Sequence, residues 1–260
     1  MENNYYDKGY NNGQGYSSQG YGYQQQGGYT SPIQVEQDRA LSGYVATVMQ
    51  KVFVKMGLGL LVTAIVALFT ASSPALLSAL YGNSWAVIVL CIVELGLVFA
   101  ISGAINKMNA GTATALFYLY SAVNGLTMSV IFLAYTMSSI ASTFFITAGT
   151  FGVMAAYGYI TKSDLSKIGS ILFMALIGLI IASIVNIFLG SSTLTWIISI
   201  AGVAIFVGLT AWDTQKIKQM AAMTDVDQSG KVSTIGALML YLDFINLFIY
   251  LLRIFGSSRD

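Results

Sequence analysis

Apolar stretches of about 20 residues recur from residue 52 to the end of the chain, and they constrain the fold more than any other feature. Such a stretch crosses about 30 Å of hydrocarbon as a helix at about 1.5 Å per residue. Of the 260 residues, 56% are hydrophobic and only 9% are charged, against about 25% charged in an average soluble domain. The sequence therefore predicts an all-α integral membrane protein. Its seven predicted spans are residues 52–71, 85–103, 112–135, 139–160, 168–189, 194–212 and 235–256.

The first 40 residues differ from the rest, because they are rich in Gly, Tyr, Gln and Asn and lack apolar periodicity. Such a segment buries too little apolar surface to offset the entropy lost on ordering. The sequence predicts a disordered cytoplasmic tail over 1–40, ahead of a seven-helix membrane domain over 45–256. The tail is either a solvated extension or a segment that associates through its tyrosines.

The distribution of charge predicts the orientation, because Lys and Arg are retained on the cytoplasmic side of a membrane. The three loops 72–84, 136–138 and 190–193 contain no charged residue. We therefore expect a cytoplasmic N-terminus and, after seven crossings, a C-terminus outside. The basic residues at the opposite ends of the spans are Arg39, Lys51, Lys55, Lys107, Lys162, Lys167, Lys216, Lys218 and Lys231.

Several functional classes are excluded by the residues that the chain lacks. There is no histidine, so neither Ser-His hydrolysis nor HExxH zinc chemistry is available. A single cysteine, Cys91, excludes an intrachain disulfide. A net charge of +1 gives no basic field that would attract nucleic acid. We expect no tightly bound cofactor and no enzymatic activity.

Besides Lys55, which enters the first span near its cytoplasmic end, four charged residues occur within or at the ends of the predicted spans: Glu94, Asp213, Asp243 and Arg253. A charged group at the centre of a membrane helix costs at least about 2.5–3.5 kcal/mol, so each needs a partner or a wet cavity. On the last span, one helical face carries a polar stripe, and a stripe of this kind must avoid lipid. We therefore expect the other six helices to surround this span. The stripe consists of Asp243, Asn246, Tyr250 and Arg253.

Asp213 ends the sixth span, and Asp243 lies about two turns into the seventh. In a dehydrated site two neighbouring carboxylates would share one proton, because two like charges cannot both ionise cheaply. Loss of that proton would make them repel, separate the two spans at their cytoplasmic ends and expose oxygen ligands suited to Ca²⁺. For Glu94 and Arg253 two interpretations stay open: part of an ion path, or an inert pair that holds helices in register.

Small residues recur at four-residue spacing in two spans, at Ala148, Gly152 and Ala156 and at Gly178 and Ala182. This spacing lets helix backbones approach each other closely in lipid. It predicts tight helix packing at these positions.

Several segments resemble the Bax inhibitor-1 family, also called the transmembrane Bax inhibitor motif or YccA-like family. They are GLGLLVTA (57–64), ELGLVFAIS (94–102), AWDTQKIKQM (211–220) and ALMLYLDFINLFIYLLRIFG (237–256). The resemblance covers about residues 45–256. It implies six helices around a central C-terminal helix and a leak of cations, notably Ca²⁺, that pH regulates through an aspartate pair.

The resemblance also implies particular site residues. Asp213 and Asp243 match the aspartate pair, which would bind Ca²⁺ transiently. Glu94 and Arg253 match a second acidic and basic pair that faces the opposite opening. A family arginine that latches the aspartates has no arginine counterpart here, and Lys107 is the nearby basic residue that could replace it. Lysine lacks the bidentate fork of arginine, so we expect a looser latch.

Three other functions compete with a gated cation leak. An intramembrane aspartyl protease also has one aspartate on each of its sixth and seventh spans, but its GxGD motif is replaced here by LYLD at 240–243. A regulator without transport of its own would bind a membrane protease or a stress or cell-death protein. Proton-coupled transport is disfavoured because no inverted repeat of interrupted helices is seen. The expected surroundings are the lipid bilayer of a bacterial cytoplasmic membrane.

Overall fold

The computed structural model describes residues 32–259, so most of the predicted tail lies outside the described residues. Within this range the chain forms nine α-helices and two short 3₁₀ turns, at Ile105–Lys107 and Val226–Gln228. Seven helices are long and apolar enough to cross a membrane, which confirms the predicted seven-span all-α fold. The helices are α1 (Pro32–Ala71), α2 (Pro74–Tyr81), α3 (Ser84–Ala104), α4 (Ala110–Met128), α5 (Ile131–Ala134), α6 (Met137–Ile160), α7 (Ser166–Leu189), α8 (Ser192–Ala222) and α9 (Ser229–Phe255).

The first helix is much longer than its predicted span of 52–71. It begins at Pro32 and so includes residues 32–40 of the predicted tail. The extension is amphipathic: Val45, Val48, Met49 and Val52 are all buried at helical spacing. This apolar face packs on the bundle core and so stabilises the helix. The polar residues between the buried ones explain why no continuous apolar run marks this part of the helix in the sequence.

The last spanning helix, α9, is the centre of the bundle. Its hydrophobic stretch is 61% buried inside the molecule, against 11% in α3 and 6% in α7. It packs most extensively against α8, then against α1, α6 and α4. Helix α3 packs on α4, and α7 packs on α8. The polar stripe on the last span therefore predicted its central position correctly.

The tightest helix approaches lie at glycines other than those predicted. Gly152 and Gly178 are exposed, and nothing lies within 4 Å of where a Cβ would be. A Cβ on Gly158 would lie 2.1 Å from the carbonyl oxygen of Ala211. A Cβ on Gly169 would lie 2.1 Å from the Trp212 ring. These two glycines bring α6 and α7 against α8 immediately beside Asp213.

Candidate functional site

A cavity of about 380 Å³ lies between α7, α8 and α9. Helix α7 contributes only apolar side chains to it, namely Phe173, Leu176 and Ile180. Its polar lining comes from α8 and α9, so three members of the predicted polar stripe share one cavity. Arg253 lines different cavities, nearer the end of α9. The polar lining residues are Asp213, Lys216, Asp243, Asn246 and Tyr250.

The structure brings Asp213 and Asp243 together in this cavity, close enough to interact electrostatically. Asp243 is only 4% exposed. One carboxylate oxygen of each, Asp213 Oδ1 and Asp243 Oδ2, is buried without a hydrogen-bond partner. Buried polar atoms without partners are costly, so these oxygens favour a shared proton, water or a cation beside them. Among the residues that the structure describes, no group of three or more His, Cys, Asp or Glu could hold a metal ion.

The cation beside the aspartates is Lys216, which sequence reasoning did not assign to the site. It lies one helical turn after Asp213, lines the same cavity and acts electrostatically on it. Its Nζ also lies 4.9 Å from the centre of the Trp212 ring. Lys107, the expected latch, is exposed at the end of the 3₁₀ turn after α3 and contacts neither aspartate in this conformation. The spacing of Asp213 and Lys216 on one helix could have indicated this pairing.

The residues after Asp213 fasten α8 to the loop between α6 and α7. Gln215 is buried; its Oε1 accepts a hydrogen bond from Leu165 N at 2.9 Å, and its Nε2 donates to Ser163 O at 2.8 Å. One turn later, Lys218 Nζ donates to Tyr159 O at 2.7 Å. The segment 211–220 thus carries one cavity carboxylate, one side chain that binds the loop and one that binds the last turn of α6. The sequence indicated only the carboxylate.

The loop held by Gln215 is also ordered by its own aspartate. Ser166 N donates to Asp164 Oδ1 at 2.9 Å, in the turn that leads into α7. Asp164 is exposed, and hydrogen bonds from the Ser166 side chain and backbone lower its pKa, with a smaller contribution from the charge of Lys167. The loop therefore enters α7 in a fixed geometry.

Glu94 belongs to a second polar cluster in the middle of the membrane. Thr127 Oγ1 donates to Glu94 Oε1 at 2.6 Å, and the Asn124 side chain is also hydrogen-bonded to this carboxylate. The Tyr241 hydroxyl donates to Asn124 Oδ1 at 3.0 Å and lies 2.6 Å from Thr63 Oγ1. This chain of hydrogen bonds joins the peripheral helix α3, through α4, to α9 and α1.

The implied pairing of Glu94 with Arg253 is not formed in this conformation. Glu94 is satisfied by neutral donors on α4, whereas Arg253 lies over the Tyr250 ring, 5.5 Å from its centre. The physical reason is local: Thr127 and Asn124 face Glu94 from the neighbouring helix. A hydrogen bond from a neutral side chain satisfies a carboxylate without burying a second charge.

Lys55 forms a third polar cluster that the sequence did not reveal. Its Nζ lies within hydrogen-bond distance of four oxygens, and these join α1 to the first turns of α4 and α9. The half-buried ammonium thus connects α1, α4 and α9 at their ends on the predicted cytoplasmic side. The four are Thr114 Oγ1 (3.1 Å), Gly230 O (3.1 Å), Ser233 Oγ (2.9 Å) and Thr234 Oγ1 (2.7 Å).

These features define a multi-pass helical membrane protein with an acidic cavity beside its central last helix. Residues 45–260 match the family described as inhibitor of apoptosis-promoting Bax1. The chain therefore belongs to the Bax inhibitor-1 family, as the resemblance indicated.

Three relatives show the range of similarity. The inner membrane protein YbhL of Escherichia coli K12 is 53% identical over 216 residues, which are 82% of this chain and 92% of YbhL. The uncharacterized protein RP147 of Rickettsia prowazekii is 44% identical, with 82% of this chain and 90% of RP147 covered. The uncharacterized membrane protein M6_Spy0327 of Streptococcus pyogenes serotype M6 is 44% identical, over 64% of this chain and 72% of its own length.

Proposed function

We propose that this protein is a pH-sensitive cation leak channel, with Ca²⁺ as the permeant ion and Asp213 and Asp243 as its proton-sharing gate. One observation carries the proposal. The two carboxylates line the same cavity, and each has one buried oxygen without a hydrogen-bond partner. Carboxylate oxygens are the ligands that Ca²⁺ prefers.

The charges around the pair set the direction of the pH response. With one shared proton the pair carries a single negative charge, which Lys216 on α8 offsets. Tyr250 is the other titratable group that lines the cavity, and the α7 wall is apolar. Loss of the shared proton leaves an excess negative charge, so α8 and α9 repel each other at this point. We expect cation flux to rise as the pH is raised through this deprotonation.

The proposed location is a bacterial inner membrane, in line with the name of the relative YbhL, an inner membrane protein. The proposed orientation puts the N-terminus in the cytoplasm and the C-terminus outside, because the loops 72–84, 136–138 and 190–193 lack charge. A reporter fused after residue 82 or after residue 260 should be found on the outer side of the membrane. A reporter fused after residue 163 should be found in the cytoplasm. The reverse pattern would refute the orientation.

The channel proposal is tested by Ca²⁺ flux into dye-loaded proteoliposomes at several pH values. Asp213→Asn and Asp243→Asn should each alter the pH dependence, and the double variant should add little because the sites act as one unit. Asp227→Asn is the matched control, since Asp227 is an exposed acid in the loop between α8 and α9.

Two outcomes would count against the proposal. Wild-type flux no greater than that of empty liposomes would refute a channel and favour the regulator of a membrane protease or stress pathway. Flux that is unchanged in both aspartate variants would refute the assigned gate. A truncated chain that lacks residues 1–31 should conduct like the full chain.

A further inference from the structure

Arg253, in the last turn of α9, is a charged residue that the aspartate cavity does not use. It is exposed, and its guanidinium lies 5.5 Å from the centre of the Tyr250 ring. No carboxylate within residues 32–259 pairs with it, since Glu94 is held by Thr127 and Asn124. Arginine stays charged in proteins and offers five N–H donors. A guanidinium in this position therefore favours the binding of an anion that is not part of the chain.

A cavity of about 280 Å³, lined by polar side chains together with Ile187 and Ile198, lies on one side of Arg253, between the ends of α7, α8 and α9. Asn186 and Ser183 from α7 and Thr195 from α8 line it. Asn186 Nδ2 donates to Thr195 Oγ1 at 2.7 Å, which fixes the amide and leaves its second N–H available. Thr195 also lies in the first turns of α8, where the helix dipole favours negative charge.

An apolar cavity, also of about 280 Å³, lies on the other side of the same residue. It separates α9 from the end of α4 and from α5. Arg253 thus lies between a recess that offers polar side chains and a recess that is almost wholly apolar, an arrangement that matches a ligand with one charged and one hydrocarbon part. The apolar lining is Met128, Val130, Ile131, Ala134, Tyr135, Ile249 and Leu252.

The position along the membrane normal fits a lipid headgroup. Arg253 lies within the last turn before α9 ends at Phe255, about 3 Å from the helix end at about 1.5 Å per residue. The adjoining α7 end is strongly apolar on its outer face, with Ile187 77% and Phe188 86% exposed. Free phosphate would gain nothing from these apolar surroundings, whereas a phospholipid would use them.

We propose that Arg253, together with Asn186, binds the phosphate of an anionic phospholipid in the leaflet at the C-terminal end of α9, with an acyl chain in the apolar cavity. Guanidinium binds phosphate through paired hydrogen bonds. Among the described residues at this end, neither the loops 72–84, 136–138 and 190–193 nor residues 256–259 contain an acidic residue that would attract the ammonium of a zwitterionic headgroup. The site therefore prefers phosphatidylglycerol to phosphatidylethanolamine. It does not depend on the proposed channel activity.

The test is native mass spectrometry of the full chain with added phosphatidylglycerol or phosphatidylethanolamine. Arg253→Gln should weaken phosphatidylglycerol binding by about tenfold, as loss of charge-assisted hydrogen bonds to phosphate predicts. Arg253→Lys should weaken it less, and Asn186→Ala should weaken it in part. Arg259→Gln is the matched control, because it removes the same charge near the same end and should change binding little. Helicity and thermal unfolding of every variant establish that it is folded.

A second arm separates a lipid from a free anion. Ala134→Leu narrows the apolar cavity and should weaken the binding of long-chain phosphatidylglycerol. Millimolar inorganic phosphate or glycerol phosphate should not displace the bound lipid. Equal losses in Arg253→Gln and Arg259→Gln would overturn the proposal in favour of general charge attraction. Displacement by inorganic phosphate, with no effect of Ala134→Leu, would overturn it in favour of a free phosphate site.

Discussion

Gln215 holds Leu165 in place: its Oε1 accepts a hydrogen bond from the Leu165 backbone N–H at 2.9 Å, while its Nε2 donates to Ser163 O at 2.8 Å. Both Gln215 and Leu165 are buried. One side chain thus satisfies two backbone groups of the loop between α6 and α7. Because Asp213 lies two residues earlier on α8, this contact also fixes the wall of the aspartate cavity.

Gln215→Ala should lower the free energy of unfolding by about 1–3 kcal/mol, because it leaves the buried Leu165 N–H without a partner. Denaturant unfolding in detergent measures this change. Gln219→Ala, one turn later on the exposed side of α8, should stay within about 0.5 kcal/mol of wild type. Equal effects of the two substitutions would show that the loop contact contributes nothing.

Gly158→Ala should destabilise the bundle by about 1–3 kcal/mol, the usual cost of overpacking. The new Cβ would lie 2.1 Å from the Ala211 carbonyl oxygen, and this backbone atom cannot move without shifting α8. Gly152→Ala, on the same helix with nothing within 4 Å, is the control and should not destabilise. Thermal unfolding distinguishes them, and a Gly158 variant as stable as the control would contradict the close approach.

The seven spans could be predicted because the length of an apolar run is a local property of the sequence. The central position of α9 followed from a polar stripe at Asp243, Asn246 and Tyr250, which has only the bundle interior to face. The meeting of Asp213 with Asp243 came from the family resemblance, and no local pattern would have shown it across the intervening loop.

The side-chain contacts between helices could not be predicted, because they depend on which helix faces meet in the fold. Small residues at four-residue spacing flank the exposed Gly152, whereas the packed Gly158 has Met154 and Lys162 at that spacing, so the pattern did not locate the close approach. The family resemblance matches Glu94 to a basic partner, Arg253. The structure instead supplies Thr127 from the neighbouring helix. The oxygens around Lys55 come from two other helices and are ordinary Ser, Thr and Gly residues.

Tyr241→Phe should lower the free energy of unfolding by about 0.6 kcal/mol, the mean for hydrogen bonds between membrane helices, and by no more than about 1.7 kcal/mol, the largest value. The change keeps the buried ring but removes the hydroxyl that contacts Asn124 and Thr63. Tyr157→Phe is the control, because Tyr157 is 51% exposed on α6. Reversible unfolding in bicelles measures both, and an unchanged Tyr241→Phe would show that the cluster linking α3 to α9 does not contribute to stability.

Lys216→Gln and Lys107→Gln distinguish the cation that the structure places beside the aspartates from the one that the family resemblance implies. Lys216 acts electrostatically on Asp213 and so favours ionisation of the pair. Its removal makes loss of the shared proton less favourable, and the midpoint of the flux against pH should move to higher pH. Lys107 is exposed and contacts neither aspartate, so its removal should leave the midpoint unchanged.

Ca²⁺ flux in proteoliposomes across a pH series measures both midpoints, and Lys216→Arg separates charge from packing because it keeps the positive charge near Asp213. A midpoint that moves with Lys107→Gln but not with Lys216→Gln would show that Lys107 reaches the aspartates in a conformation other than this one. A midpoint that moves with Lys216→Gln and returns with Lys216→Arg would assign the charge to α8. The counter-charge of the gate would then lie on the same helix as one of its aspartates, so a relative movement of α8 and α9 would separate Asp243 from both.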